Sequence, residues 1–148
     1  MKRGLVILLL IFPYVALSHP NLKTDSADEE IIEAVFRYQI KHCYEARSPK
    51  LYFLSYREQD LSDSFMARFN HHEPKLRKRS QMFGFKDKAT GESGILLAIG
   101  NINRISDVKA EVRVSCGAAS LDGYSYLNQV ERKRGKWIVK RSKLIGIS

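Results

Sequence analysis

The stretch "VKAEVRVSCGA", Val108 to Ala118, constrains this chain more than any other. Ala110, Val112, Val114 and Cys116 alternate with Lys109, Glu111, Arg113 and Ser115. That period of two is what an antiparallel strand needs when one face meets a core and the other meets water. Its neighbours extend the pattern. "ILLAIGNINRI" precedes it from Ile95, with Ser106-Asp107 as the turn between them. Leu121-Asp122-Gly123 reads as the next tight turn, Tyr124 to Arg132 runs out, Arg134-Gly135 turns again, and Trp137 to Ile147 returns. The back half is therefore expected to be an antiparallel meander.

The front half has a different period. Ser26-Ala27-Asp28-Glu29 forms a capping box, with Asp28 as a rival cap, ahead of Ile32, Val35, Phe36, Gln39, Ile40 and Cys43. Those positions recur every three or four residues and predict an amphipathic helix from about Glu29 to Tyr44. Ser48-Pro49 stops it, because a residue before proline is pushed out of the helical region. "LYFLSY" (Leu51 to Tyr56) is short and aromatic, as a first strand would be. Ser62 or Asp63 can cap a brief helix with Phe65, Met66 and Phe69 on one face, which "NHHEP" terminates. "KLRKRSQMF" (Lys75 to Phe83) alternates in the manner of an exposed or edge strand, and Gly84 to Gly94 reads as a loop. The expected fold class is α+β: an N-terminal helix, a short second helix and a mostly antiparallel sheet of about six strands.

Lys2 and Arg3 precede an uncharged apolar run from Gly4 to Leu17, and Ala16-Leu17-Ser18 places small residues where a signal peptidase reads. Residues 1–18 are expected to be a secretory signal, residues 19–28 a flexible lead-in and residues 29–148 a single domain. A membrane span needs roughly 20 apolar residues, and this run is broken by Pro13 and ends at Leu17, so no transmembrane segment is expected after cleavage. Cleavage leaves about 130 of the 148 residues, enough for one core and too few for two domains. The expected address is periplasmic or extracellular, where Cys43 and Cys116 can persist as a disulfide, the alternative being two buried thiols.

The formal charge of +9 is concentrated in one place. "YLNQVERKRGKWIVKRSK" holds seven Lys or Arg residues against one Glu, and Arg132, Lys133, Arg134, Lys136 and Lys140 sit at or near a hairpin tip. Solvation and protection of a sheet edge explain such a turn without any partner. A nucleic-acid site would interleave aromatics for base stacking, and only Trp137 is close, which argues against nucleic acid. Weak contact with an anionic lipid or glycan surface is the functional alternative.

Element order together with the closing "YLNQVERKRGKWIVK", a Tyr-x-x-x-Val strand followed by a Gly turn and a Trp strand, resembles the cone-shaped scaffold of nuclear transport factor 2-like proteins, with the cystatin-like arrangement a near neighbour. The resemblance covers about Glu29 to Ile147. "YFLS", "SDSFMARF" and "TGESGILL" resemble phrases of exported bacterial members without an assigned activity. The resemblance implies a curved, mostly antiparallel sheet with both helices packed on it, the first lying across its concave face with Ile32, Val35, Phe36 and Ile40 against Ala110, Val112 and Val114, and Cys43 brought toward Cys116. It also implies an open end at which some members hold small apolar molecules or act as isomerases, hydrolases or cyclases. Fold alone does not confer that chemistry.

Such enzymes need an inward carboxylate or a carboxylate and histidine pair. Glu111 and Glu131 fall on the polar side, Asp60 and Asp63 suit helix capping, and Asp107 belongs to a turn. His71-His72-Glu73 matches no zinc spacing and reads as a solvated helix end. His42 beside Cys43 cannot serve as its base, since adjacent helical residues diverge by about 100°. Tyr38, His42, Tyr52, Tyr124 and Tyr126 remain as candidate pocket lining. Nothing in the sequence asks for a cofactor or a metal. The leading expectation is a non-catalytic domain binding a small ligand or a protein, with a homodimer through Lys109, Glu111, Arg113 and Ser115 as one form of it. A small cofactor-independent enzyme is the alternative.

Overall fold

The computed structural model describes residues 26–44 and 48–148. The expected signal sequence and most of the expected lead-in lie outside them. Two helices, α1 (Ser26–His42) and α2 (Asp63–Ala67), accompany eight strands: β1 (Leu51–Tyr56), β2 (Lys75–Lys78), β3 (Met82–Phe83), β4 (Lys86–Asp87), β5 (Ile95–Ser106), β6 (Lys109–Ala119), β7 (Asp122–Lys133) and β8 (Lys136–Ile147). Six of the strands form one open sheet in the order β2-β1-β5-β6-β7-β8, and β3 and β4 make a separate small hairpin. The class is α+β, and the sheet is mostly antiparallel.

The meander behaves as its alternation requires. Ala110, Val112, Val114 and Cys116 are buried against α1, which contributes Ile31, Ile32, Val35, Phe36 and Ile40 to the same cluster. Lys109, Arg113 and Ser115 face water, and Glu111 is half-buried beside Gln129. On β7 the inward positions are Tyr124, Tyr126, Asn128 and Val130, in register with the inward residues of β6. Trp137 is buried at the start of β8, beneath the Arg104 guanidinium at 5.9 Å. β8 carries two extra residues relative to β7, between the pairs Gln129–Arg141 and Val130–Val139 and between Ser125–Gly146 and Tyr126–Leu144. Such bulges bend a strand and increase its twist.

Four local expectations are corrected. The first helix spans Ser26–His42 instead of Glu29 to Tyr44, so Ser26 to Asp28 are helical and Ser26 is not the cap. Its Asp28 instead accepts from Arg104 of β5 at 2.7 and 3.1 Å. The turn after β6 falls at Ser120-Leu121, and Asp122 and Gly123 belong to β7. They stay in the ladder because Gly123 exchanges backbone hydrogen bonds with the final residue, Ser148, so close that a side chain on Gly123 would strike it. The segment Lys75 to Phe83 is not one strand, since a single 3-10 turn, Arg79–Gln81, separates β2 from β3. Within the expected loop Gly84 to Gly94, Lys86 and Asp87 pair back onto Phe83 and Met82.

The front strand departs from the meander in direction. β1 runs parallel to both of its neighbours, β2 and β5, and all six of its residues are buried. A strand covered on both faces reads as a continuous apolar run instead of an alternation. The second helix is capped by Ser62, whose hydroxyl accepts the Phe65 N–H at 3.1 Å. Phe65 and Phe69 are buried there, and Arg37 of α1 lies 4.5 Å from the Phe69 ring centre. Arg68 ion-pairs with Glu29 and Glu33, which joins the two helices.

Candidate functional site

Between α1 and the sheet the polar groups are engaged with one another. Gln39 stands in the apolar stripe of α1 and Asn128 in the inward row of β7, and both are buried. Gln39 Nε2 donates to Asn128 Oδ1 at 2.8 Å and to Ser142 Oγ of β8 at 3.2 Å, while Asn128 Nδ2 donates to the Val112 carbonyl at 3.4 Å. A buried amide is stable only when so satisfied. Among the described residues no buried side-chain nitrogen or oxygen lacks a partner.

The C-terminal end of α1 is clamped by three devices. Cys43 and Cys116 form a disulfide, with Cα atoms 6.7 Å apart, so the two thiols expected near each other are joined. The Tyr52 hydroxyl, buried in β1, donates to the carbonyls of Cys43 at 3.0 Å and Ile40 at 3.2 Å, in the stretch where a helix runs out of intrahelical partners. Burial pushes its pKa up to about 12. Tyr44 takes the left-handed conformation that commonly ends a helix, at φ 57°, and its hydroxyl donates to the carbonyl and the carboxylate of Asp122 at 2.7 and 2.9 Å. Desolvation first, then the Asp122 carboxylate, raises this phenol to about 12 as well.

The candidate pocket residues therefore separate. Tyr52 is a helix-end anchor whose hydroxyl is already committed. Tyr124 and Tyr126 are half-buried on β7, their rings 6.5 Å apart, and Tyr124 packs edge-on against Tyr44 at 5.2 Å. Tyr38 and the exposed His42 stack on each other one helical turn apart, with ring centres at 4.2 Å. The single buried ionisable side chain among the described residues that are charged at neutral pH, Asp87, sits in the β3–β4 hairpin. There it accepts from the Ala89 N–H at 2.7 Å and from Arg77 at 3.3 Å, and the first of these contacts does most to hold its carboxyl below 3.8.

His71, His72 and Glu73 border an open surface groove of about 870 Å³ beside α2 and β2, together with Lys75, Arg77 and Lys78. His71 is exposed, and His72 rests its ring on Phe69. Among the described residues no group of three or more potential ligands gathers to hold a metal ion.

The basic segment occupies the outer edge of the sheet. Arg132, Lys133, Arg134, Lys136, Lys140, Arg141 and Lys143 are all exposed, and none has a carboxylate partner among the described residues. Trp137 is buried and offers no platform for a base. Beside the cations stand four exposed apolar residues of the same strand: Ile138 (39 %), Leu144 (44 %), Ile145 (42 %) and Ile147 (71 %). These apolar residues, and the amide cluster of Gln39, Asn128 and Ser142, were not singled out as functional in the sequence. A polar residue falling in an otherwise apolar row was the available signal for the amides.

Comparison with protein-family models, with curated proteins and with solved structures found no match. No helix among the described residues is long and apolar enough to cross a membrane.

Proposed function

We propose that this chain is an exported, non-catalytic protein-binding domain on a nuclear transport factor 2-like, cystatin-like scaffold. The observation that carries the reading is the filled space between α1 and the sheet. Ile32, Phe36, Val112 and Val114 occupy it, and its polar members, Gln39 and Asn128, are satisfied internally. A small-ligand site would leave a polar group aimed at empty space, and a proton-transfer enzyme would place an ionisable group beside it. The scaffold assignment is supported by the order of elements and by a helix lying on one face of an antiparallel meander. Export is supported by the leader pattern and by the Cys43–Cys116 bond, which persists most readily in an oxidising compartment.

The test is a native mass spectrum of the protein purified from its own host. The bare mass of the oxidised chain is expected. A retained small molecule, displaced by Val112→Trp, would replace this reading with a ligand-binding or enzymatic one.

A further inference from the structure

We infer that the outer edge of β8 receives an extended acidic segment of another protein as an added strand. This rests on the protein-binding reading and names the class of partner.

Three independent observations converge on β8. First, it is the terminal strand of the sheet, it is twelve residues long, and no strand pairs with its outer side among the described residues. Alternate residues of an edge strand leave their N–H and C=O groups open to another chain. Second, apart from Lys140 and Ile145 at the two bulges, the register with β7 divides its side chains between two faces. Lys136, Ile138, Arg141 and Lys143 pair with Lys133, Glu131, Gln129 and Leu127 on the face away from α1, while Val139, Ser142 and Leu144 pair with Val130, Asn128 and Tyr126 on the helix side. Third, the cations of this edge have no carboxylate partner among the described residues, whereas Arg68, Arg77 and Arg104 elsewhere are each paired.

Charge decides between occupants. A second copy added antiparallel about the middle of β8, between Arg141 and Ser142, would set Lys140 opposite Lys143 of its mate and Lys143 opposite its Lys140, and like charges directly opposite are destabilising. An anionic membrane or polyanion would meet the cations but has no use for a row of backbone groups. A segment alternating Asp or Glu with Val or Ile meets all three features. Its carboxylates face Lys136, Arg141 and Lys143, its apolar residues extend the row of Val139 and Leu144, and its backbone continues the ladder. Strand addition of this kind draws affinity from the main chain and selectivity from alternate side chains.

The experiment uses the disulfide-intact protein and a short synthetic peptide alternating Glu with Val. Binding at low salt is expected, with amide exchange slowed along Lys136–Ile147. Two changes are expected to weaken it by about tenfold or more: N-methylation of alternate peptide amides, which keeps the charge and removes the hydrogen bonds, and Arg141→Glu with Lys143→Glu. A Lys-Val peptide is expected not to bind. Equal binding of the N-methylated peptide overturns the inference in favour of plain attraction to polyanions. Protection on another element, or dimerisation of the protein through β8, overturns it as well. A bare native mass together with no peptide binding leaves the protein-binding reading standing and removes this one.

Discussion

At one edge of the sheet, β2 is four residues long, follows Pro74, ends in the 3-10 turn Arg79–Gln81 and lies beside α2. At the other, β8 runs twelve residues with exposed isoleucines and with cations that have no carboxylate partner among the described residues. Proteins commonly blunt an edge by shortening it or covering it, as at β2, or by charging and bulging it, as at β8. The second device rejects like-charged strands but leaves the backbone open to an acidic one. The same contrast runs through the interior. The C-terminal end of α1 is clamped by the disulfide to β6, by Tyr52 of β1 and by Tyr44 on Asp122 of β7, whereas α1 meets β8 through the Gln39–Ser142 hydrogen bond and packing.

The largest effect expected from breaking this contrast is at the clamp. The disulfide spans a separation of 73 residues, and Cys43→Ser with Cys116→Ser should cost about 4 kcal/mol in urea unfolding on chain-entropy grounds. A much smaller loss would show that the tyrosines suffice.

Next comes the packing around β1. A side chain on Gly94 would come within 2.7 Å of the Phe53 ring and 3.0 Å of Leu51, so Gly94→Ala should cost about 3 kcal/mol by overpacking. At the β7–β8 turn Gly135 has open space and is constrained only by φ +77°.

On the β7–β8 side, Gln39→Leu leaves Asn128 Oδ1 without its donor and should cost about 2 kcal/mol. Adding Asn128→Leu should recover part of that loss, and a double-mutant cycle measures the coupling.

A pH profile separates the two edges further. The Asp87 carboxyl beside β2 has its pKa lowered from 3.8 by the Ala89 N–H and Arg77, so its stabilisation is complete above about 3.8 and is lost as pH falls through the lower folded value. Asp87→Asn should flatten that acid limb of the urea midpoint. The smallest effect belongs to β8, where Arg141→Glu with Lys143→Glu should leave stability within about 0.5 kcal/mol, so that any loss of peptide binding reports the surface and not the fold.

The meander was legible because its alternation is a one-dimensional record of a two-sided environment. Ala110, Val112, Val114 and Cys116 announced a buried face, and Arg134-Gly135 announced the turn it makes. The parallel pairing of β1 was not legible, because "LYFLSY" is apolar throughout and carries no sign of which neighbour it joins or in which direction. Of the pocket candidates, the tyrosines were visible as residues but not as anchors. Whether a Tyr hydroxyl meets a ligand or a helix carbonyl depends on what lies across the fold.

By itself the sequence determined the helix stripe, the long strands and the place where positive charge accumulates, since each follows from local periodicity and composition. Only the tertiary structure decided that Cys43 meets Cys116, that Gln39 and Asn128 satisfy each other, and that β8 ends the sheet with its cations unpaired among the described residues. Those facts depend on residues far apart in the chain arriving at hydrogen-bond or bonding distance, which no local pattern encodes.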